Sequence, residues 1–548
     1  MKINGHTLYK MLVSAANALD NKQVEINNMN VFPVPDGDTG VNMTLTISPV
    51  REMQDSDTVS DLAKQAAFLI LRAARGNSGA ILSLFFRGMS KVFCDLKTID
   101  SADLARAFRR GTDEAYKAVM NPTEGTILTV MRCSTEAAER AVAEGRFKGD
   151  VKGFFKYVLA AAEEALAETP DLLPILKEVH VVDAGGFGFV TVLKGMLAAL
   201  NKKPVVLLHE PEERADAASF TDFDTESITF GYCTECIVEK AAEFVGEERA
   251  NDLKDFISGI GDSVVFVEDE SIIKLHVHTD HPGDVLERAI TYGALAKIKI
   301  ENMRKQHSEL IAKEENAAAQ EKEPETPVEK KPYGFVTVCN GEGLKATFVD
   351  LGVDHIIHGG QTMNPSTQDI LDGIDATPAD TVYVLPNNKN IYMVAEQAAR
   401  LVRKKKVIVL GTKSVPQGVT AMLAFDPEAD VKTNTEAMAA AVANVTTMSV
   451  THAVRDTTID GEQIKDGQML GLIDGEIGCV ADSPVECVKA LAEKMGDASF
   501  VTVFYGEDTP AEEAAEVEKY LTKNLPNAEQ ISVISGGQII YNYVISVE

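Results

Sequence analysis

The amino-acid sequence predicts a multidomain protein in which an all-α domain is followed by a small α+β domain and an α/β domain. Three observations support this fold class. The chain has 548 residues, which is more than one hydrophobic core normally serves. Its first part repeats apolar side chains at helical spacing. Its last part alternates short β-rich segments with helical ones, which is typical of an α/β sheet.

Composition divides the chain into four segments. Residues 1–205 favour helices, because apolar side chains recur on one helical face at Leu8, Met11, Leu12, Ala15, Ala16 and Leu19. Residues 224–308 have the order strand, helix, strand, strand, helix, strand of a two-layer α+β domain. Residues 309–332 are rich in Glu and Pro and are predicted to be a flexible linker. Residues 333–548 form the predicted α/β domain.

The formal net charge of -30 argues against nucleic acid and anionic membranes as partners, because both require a basic surface. A nucleotide is compatible with this charge, since metal ions offset local carboxylates. The seven cysteines are scattered and odd in number, which favours a reducing, cytoplasmic compartment. No apolar run approaches the length of a membrane span, so we expect no integral membrane association and no signal peptide.

The most specific motif is NVFPVPDGDTGVNMT at residues 30–44. Asp36 and Asp38 flank Gly37 in a predicted turn where both carboxylates can converge, and hard oxygens at this spacing suit Mg²⁺. Thr39 is the predicted cap of a following helix, whose free N–H groups would face a phosphate. The alternative is a simple polar turn, but the length of the flanking run favours function.

Three more glycine-bearing loops precede helices in the same domain: RGNSG at 75–79, NPTEGTIL at 121–128 and VDAGGFG at 182–188. Each one is a possible anion cradle at a helix start. Each is also weak by itself, and the first can be a helix–helix turn with Ser78 as its cap. Four such loops in one helical domain are harder to dismiss as ordinary helix starts.

Taken in chain order, these four motifs resemble the DhaL domain, the nucleotide-binding subunit of dihydroxyacetone kinases. The extended first motif resembles the ATP-binding subunit of fatty acid kinases, the FakA family, and this resemblance covers essentially the whole chain. It implies an antiparallel helical barrel that holds ATP and two Mg²⁺ at one end. By this match Asp36 and Asp38 are the metal ligands and the candidate catalytic residues.

The same match assigns a set of residues to the nucleotide. Those expected on the phosphates are Thr39, Gly40, Asn42, Asn77 and Ser78, and those expected to line the nucleotide are Gly125, Thr126, Asp183 and Gly185. One departure concerns the metal. The DhaL domain carries a third Asp shortly before the first of the pair, whereas this chain has Asn30-Val31-Phe32 there. The third metal ligand is therefore unassigned.

The middle domain carries a candidate zinc site. His276 and His278 are two apart on a predicted strand and so share a face, and Cys233 on a neighbouring predicted strand completes a His₂Cys set. Cys236 could replace or supplement Cys233, and His281 is a spare candidate. The alternative is a solvated histidine pair beside a buried cysteine. The fatty acid kinase resemblance implies zinc.

The last domain resembles the DegV-type fold of fatty-acid-binding proteins. The matching landmarks are GGQTMNPST at 359–367, VRD at 454–456 and GGQ at 536–538. The lipid binders carry a Ser-x-x-Ser-Gly-Thr motif where this chain has LPNNKN at 385–390. We therefore expect a docking or dimerising module that does not itself hold the acyl group.

The predicted activity is ATP-dependent phosphoryl transfer to a fatty acid carboxylate, presented by an acyl-binding DegV-type partner protein, to give ADP and an acyl-phosphate. The resemblance also implies a homodimer. Two alternatives stay open: a dihydroxyacetone-type kinase subunit, and a non-catalytic regulator that responds to bound nucleotide.

Overall fold

The computed structural model describes residues 2–30, 37–119, 122–208, 232–241, 244, 251–268, 272–302, 330–360, 363–453, 457–459, 462–465 and 467–548, and only some of the side chains in the strands of the middle region. The chain forms two compact units. One contains residues 1–208 together with 329–548, and the other contains residues 209–328. Most of the predicted linker lies outside the described residues.

The amino-terminal part of the first unit is helical, as predicted. Its helices are α1 (Gly5–Asn21), α2 (Gln23–Met29), α3 (Thr39–Ile47), α4 (Val59–Ala73), α5 (Gly76–Val92), α6 (Ser101–Ala118), α7 (Ile127–Ala143), α8 (Val151–Ala167), α9 (Thr169–Leu172), α10 (Pro174–Glu178) and α11 (Ala184–Leu200). A 3₁₀ turn covers Ser48–Glu52, and the short strands β1 (Ile3–Asn4) and β2 (Thr98–Ile99) pair in antiparallel fashion.

Seven of these helices form a closed ring. Each helix of the ring packs against the next in the order α1, α4, α5, α6, α7, α8 and α11, and α11 packs against α1. The short helix α3 contacts α1, α4, α5 and α11. The core holds edge-to-face contacts of Phe85 with Phe108 and Phe189, an arrangement that aromatic rings favour.

Close helix packing in this ring depends on glycine. Gly88 of α5 faces Gly111 of α6, and a Cβ at Gly88 would lie 2.6 Å from the Cα of Gly111. A Cβ at Gly111 would in turn lie 2.7 Å from the backbone oxygen of Phe85. Both distances are shorter than van der Waals contact, so the two backbones can approach only because neither residue has a side chain.

The second unit has the predicted order of strands and helices. It consists of β3 (Tyr232–Lys240), α12 (Asn251–Ile260), β4 (Gly261–Glu268), β5 (Ile272–Thr279), α13 (Pro282–Ala289), a 3₁₀ turn (Ile290–Tyr292) and β6 (Gly293–Asn302). The sheet order is β4-β5-β3-β6 and every pair is antiparallel. One face of the sheet packs on the helices through buried residues that include Cys236, Val238, Leu275 and Val277.

The carboxyl-terminal part of the first unit contains two sheets. The first holds β7 (Lys331–Cys339), β8 (His355–His358), β9 (Ala379–Leu385) and β10 (Lys406–Val409) in the order β10-β9-β7-β8, and all its pairs are parallel. Its helices are α14 (Glu342–Asp350), α15 (Thr367–Ala376), α16 (Lys389–Leu401), α17 (Val415–Leu423) and α18 (Val431–Asn444).

The second sheet is mixed. It holds β11 (Thr446–His452), β14 (Met469–Ile473), β15 (Glu476–Ala481), β16 (Phe500–Tyr505), β17 (Gln530–Ser535) and β18 (Tyr543–Val547), with the hairpin β12 (Thr457–Ile459) and β13 (Glu462–Ile464) beside it and the helices α19 (Pro484–Ala492) and α20 (Ala511–Asn524). The order is β15-β14-β11-β18-β16-β17, in which β16 and β17 are parallel and the other pairs antiparallel. The first sheet is thus all parallel and the second is mixed, and both belong to the predicted α/β domain.

The α/β domain packs directly on the helical ring. Ala80 of α5 is buried in the same apolar cluster as Val336 and Val384 of the first sheet. The buried side chain of Gln397 on α16 donates to Ser83 Oγ on α5 at 3.1 Å. This contact places the loop between β8 and α15 against the start of α5. None of the described helices is long and apolar enough to cross a membrane.

We expect Gly88→Ala to lower the free energy of unfolding by about 1–3 kcal/mol, because the added methyl group must push α5 away from α6. Urea denaturation of the purified chain measures this change. Gly259→Ala is the matched control, since this glycine of α12 has open space around its Cα. We expect the control to be neutral or slightly stabilising. Equal effects of the two substitutions would contradict the predicted packing.

Candidate functional site

Asp38 is a buried carboxylate at the start of α3. The residue is 7% exposed and is the N-cap of this helix. Asn364 Nδ2 donates to its Oδ2 at 2.7 Å, and Asn30 Nδ2 lies 3.4 Å from its Oδ1. Burial raises the pKa of Asp38, and hydrogen bonds from Asn42 and Asn364 partly oppose this rise. No Lys or Arg among the described residues contributes to its pKa, so its charge is uncompensated. Asp36 lies outside the described residues.

The N–H groups at the start of α3 are already occupied, which corrects the predicted cap. Asn27 Oδ1 accepts from Gly40 N at 2.7 Å and from Val41 N at 3.2 Å. Thr39 is the first residue of the helix and is buried, so the prediction that it caps the helix is wrong. A Cβ at Gly40 would lie 2.2 Å from the backbone oxygen of Gln23, and this close approach is what lets Asn27 reach the helix start.

The second glycine loop meets the first. Gly76 begins α5 with a φ of 58°, and a Cβ there would lie 2.6 Å from Asn42 Nδ2. Arg75 is the N-cap of α5 and makes no side-chain capping bond, so the alternative role of Ser78 as a cap is also excluded. Asn77 Nδ2 donates to Asn390 Oδ1 at 3.1 Å, whereas Asn77 Oδ1 is buried without a partner among the described residues.

The third and fourth loops also meet each other. Asp183 is the N-cap of α11, and its carboxylate accepts from Gly186 N at 2.6 Å and from the backbone N–H of Ile127 at the start of α7. A Cβ at Gly185 would lie 3.2 Å from Ile127 Cβ. Gly125 has a φ of 83°, and Thr126, the N-cap of α7, bonds Thr123 O through its hydroxyl at 2.8 Å.

The carboxyl group of Asp183 is enclosed by protein atoms, although the residue as a whole keeps some exposure. Loss of solvation raises its pKa from the usual 3.8 to about 6, and the two backbone hydrogen bonds limit the rise. The two pairs of loops are neighbours, because Met43 of α3 packs against Gly188 of α11: a Cβ at Gly188 would lie 2.5 Å from Met43 Sδ. The described candidate residues of the helical domain therefore gather at one end of the ring.

Three residues of this site were missed from the sequence: Asn27, Arg75 and Asn364. Asn27 lies in α2, outside any motif, and nothing in its neighbours distinguishes it. Arg75 begins the RGNSG motif, but sequence reasoning assigns it no function. Asn364 belongs to the GGQTMNPST segment, which was noted as a landmark of the last domain. The segment can be recognised in the sequence, but nothing in the sequence shows that it contacts the helical domain.

The candidate zinc residues lie in the second unit and are described only in part. The strand register pairs Cys233 with His278 and Glu235 with His276. The side chains of Cys233 and His276 are outside the described residues. Among the side chains that are described, no group of three His, Cys, Asp or Glu is placed to hold a metal ion. The zinc site therefore stays a prediction.

Two alternative zinc ligands can be assessed directly. Cys236 is 2% exposed in the apolar core between the sheet and its helices, and burial raises the pKa of its thiol to about 11. Its position on the core-facing side separates it from His278, which lies on the alternate face of the sheet. His281 Nδ1 lies 3.8 Å from Asp284 Oδ2 at an exposed position.

The α/β domain encloses a cavity of about 700 Å³ between its two sheets. The 385–390 segment lines this cavity through Asn387 and Asn388. Asn387 is buried with a φ of 54°, and its Nδ2 donates to Thr337 Oγ1 at 2.8 Å and to Val338 O at 3.1 Å. The segment is thus a fixed part of the cavity wall. That the domain holds no acyl group stays a prediction.

Comparison with known families agrees with this architecture. The DAK2 domain model matches residues 33–198, so the helical ring is a DAK2 domain. Two further models, the FakA-like middle domain and the FakA-like C-terminal domain of fatty acid kinases, match residues 229–310 and 334–548. The chain therefore belongs to the FakA-like family of fatty acid kinase subunits.

Full-length relatives support this assignment. Protein YloV of Bacillus subtilis (strain 168) is 42% identical over 562 residues, which cover 100% of this chain and 99% of that protein. An uncharacterized protein of Staphylococcus aureus (strain MRSA252) is 40% identical over 560 residues, with 100% of both chains covered.

Two solved structures resemble parts of the chain. One is a DegV family protein from Thermus thermophilus described for its fatty acid binding (TM-score 0.31, 12% identity, 40% of this chain and 100% of that chain). The other is the dihydroxyacetone kinase from C. freundii in complex with AMP-PNP and Mg2+ (TM-score 0.31, 11% identity, 56% of this chain and 57% of that chain).

The raised pKa of Asp183 predicts a pH effect on stability. Between its usual value and about 6 the folded chain binds more protons than the unfolded chain, so this residue makes the free energy of unfolding fall as the pH rises through that window. Asp183→Asn should remove this slope and keep the cap, whereas Asp183→Ala should remove both and cost about 1 kcal/mol at neutral pH.

Urea denaturation between about pH 4 and about pH 7 tests this prediction, because the slope lies between the usual pKa of Asp183 and about 6. Asp150→Asn is the matched control, because Asp150 caps α8 in the same way from an exposed position. The prediction is contradicted by an Asp183→Asn chain that keeps the slope of the wild type.

Proposed function

We propose that this protein is the ATP-dependent phosphotransferase subunit of a fatty acid kinase, which transfers a phosphoryl group to a fatty acid carboxylate presented by an acyl-binding partner protein of the DegV type. The observation that carries the proposal is the buried, uncompensated carboxylate of Asp38 at the meeting point of two glycine loops in a DAK2 domain. Membership of the FakA-like family of fatty acid kinase subunits supports the choice of acceptor.

The residues around Asp38 fit a magnesium ion. A buried carboxylate without a cationic partner is unfavourable, and a hard cation bound through oxygen ligands removes that cost. We assign Asp38 as one ligand, and Asp36 as a second on the sequence motif alone. Bound Mg²⁺ would neutralise charge on the phosphate oxygens as the phosphoryl group leaves.

The start of α5 is the better of the two helix starts for a phosphate. The N–H groups of Gly40 and Val41 at α3 already bond Asn27, whereas α5 has no side-chain cap over Asn77 and Ser78. Helix starts of this kind bind anions through backbone N–H groups and the helix dipole. We propose that Asn42, Asn77 and Ser78 contact the phosphates, with Thr39 and Gly40 shaping the loop beside them.

The second pair of loops is proposed to line the rest of the nucleotide. Gly125, Thr126, Asp183 and Gly185 form the wall where α7 and α11 begin, and Asp183 fixes the distance between these two helix starts. In this arrangement Asp183 is a positioning residue. It holds the backbone of two loops through hydrogen bonds that its carboxylate already makes.

The proposed reaction needs no general base. A fatty acid carboxylate is ionised at neutral pH, so one of its oxygens can attack the γ-phosphorus directly. A bond forms between that oxygen and phosphorus, the bond from phosphorus to the β–γ bridging oxygen breaks, and ADP departs with the electron pair. The enzyme contributes position and charge stabilisation. We also propose a cytoplasmic location and a homodimer, on sequence grounds.

We expect Asp38→Asn to lower ATP turnover by about 100-fold or more, because the metal loses its buried charged ligand. The measurement is ADP release with Mg²⁺ and a fatty-acid-loaded DegV-type protein. Asp171→Asn, which removes an exposed carboxylate that pairs with Lys177 in the same domain, should leave turnover unchanged.

Other outcomes of this assay separate the rival functions. Turnover with dihydroxyacetone and none with the loaded carrier protein would favour a dihydroxyacetone-type kinase subunit. Tight binding of Mg-ATP without turnover on either acceptor would favour a nucleotide-responsive regulator. Full activity of Asp38→Asn would refute the assigned metal site.

We further propose that Cys233, His276 and His278 bind zinc, since the register places Cys233 opposite His278 with His276 two residues away on the same strand. Cys233→Ala should lose the bound zinc measured by atomic absorption on the purified chain. Cys236→Ala is the control and should retain it, because Cys236 lies in the core on the other face. Wild-type protein without zinc would exclude this part of the proposal.

A further inference from the structure

A residue of the α/β domain reaches into the site of the helical domain. Asn364, in the loop between β8 and α15, is 2% exposed. Its Nδ2 donates to Asp38 Oδ2 at 2.7 Å and lies 3.4 Å from Asn42 Oδ1. Asn364 is therefore in direct contact with both the proposed metal ligand and a proposed phosphate contact, although it is 326 residues away from Asp38 along the chain.

The backbone on both sides of Asn364 is fixed to the helical domain. Arg75 donates from a guanidinium nitrogen to Asn364 O at 2.8 Å, and Thr367 N donates to Ala74 O at 3.1 Å. Ser366 forms an isolated antiparallel bridge with Arg75. The backbone that carries the Asn364 side chain is thus held against the helical domain by several contacts, which include a short piece of sheet between the two domains.

The amide oxygen of Asn364 is buried and has no hydrogen-bond partner among the described residues. A buried acceptor without a partner costs about 1–3 kcal/mol, so such atoms are rare unless a ligand satisfies them. Asn77 Oδ1, on the neighbouring loop, is in the same condition. The site therefore combines a carboxylate that no described Lys or Arg pairs with and two amide oxygens that have no described hydrogen-bond partner.

We propose that Asn364 is part of the metal–nucleotide site and that its amide oxygen completes the set of oxygen ligands around the cation held by Asp38. Side-chain amide oxygens are ordinary ligands of hard divalent cations. The amide nitrogen now faces Asp38, and a half-turn of the amide group about its last torsion presents the oxygen instead. This half-turn costs the short hydrogen bond to Asp38 and the longer one to Asn42, and the cation replaces the first of them.

The assignment explains the departure of the sequence from the DhaL pattern. The DhaL domain has a third acid before its Asp pair, and this chain has Asn30-Val31-Phe32 at that place. Here the third oxygen comes from another domain of the same chain. The helical domain is then incomplete by itself, and binding of the metal–nucleotide complex depends on the seating of the α/β domain against Ala74 and Arg75.

The inference rests on the nucleotide and metal part of the proposed function and is independent of the acceptor. Its test is the affinity of the full chain for Mn²⁺ in the presence of ADP, measured by calorimetry and by the electron paramagnetic resonance of free Mn²⁺. We expect Asn364→Ala to weaken Mn²⁺ binding by about 10-fold or more. Gln368→Ala is the matched control: Gln368 bonds Arg72 at 2.7 Å across the same interface at an exposed position, and its loss should leave Mn²⁺ affinity unchanged.

Asn364→Asp separates a ligand from a merely structural residue. Without metal, the new carboxylate beside Asp38 repels it and should lower the Tm. With Mn²⁺–ADP the two carboxylates share the cation, so affinity should be retained or increased, and the rise in Tm on binding should exceed that of the wild type.

Two results overturn the inference. Unchanged or tighter Mn²⁺ binding in Asn364→Ala would show that Asn364 either blocks the metal site or has only a structural role. Equal loss of affinity in Asn364→Ala and Asn364→Asp, with no extra metal-dependent rise in Tm, would also exclude a ligand role. A chain that binds Mn²⁺–ADP as described but phosphorylates no fatty acid would refute the proposed function and leave this inference standing.

Discussion

Burial of the Asp38 carboxylate is the constraint on which the rest of the site depends. A carboxylate removed from water needs hydrogen bonds and a countercharge, and the described residues supply amide donors from Asn364 and Asn42 but no cation. The surrounding features follow from this. Glycines at 40 and 76 allow two helix starts to approach the carboxylate, and Asn27 holds the first of them in place. Under the proposed function, a cation bound with a nucleotide would supply the countercharge.

The same constraint links the two domains of the first unit. Asn364 can reach Asp38 only because α15 and α16 pack on α4 and α5, with Gln397 bonded to Ser83 and Ala80 buried in the cluster of the first sheet. Under the proposed function, the α/β domain would form one wall of the nucleotide site, besides any docking of a partner protein.

Local sequence patterns predicted the helices and strands well, but they did not predict contacts between residues that are far apart in the chain. The 3.6-residue periodicity found the helices of the ring, and the four motifs identified the loops that meet at its end. The prediction that Thr39 caps α3 was wrong, because the side chain that accepts from the first N–H groups is Asn27, which comes from a different helix that no motif marks. Asn364 was missed as a site residue for the same reason, since its partner lies in another domain. The mixed order of the second sheet could not be predicted from local patterns, because β18 inserts between β11 and β16 and makes most pairs antiparallel.

The most direct test of the metal site at Asp38 is a crystal structure of the full chain with Mn²⁺ and ADP, in which anomalous scattering locates the metal. We predict an Mn²⁺ peak at about 2.1 Å from a carboxylate oxygen of Asp38, a distance typical of a hard divalent cation, with the phosphates beside the start of α5. A metal bound elsewhere, with Asp38 still hydrogen-bonded to Asn364 Nδ2, would contradict this prediction.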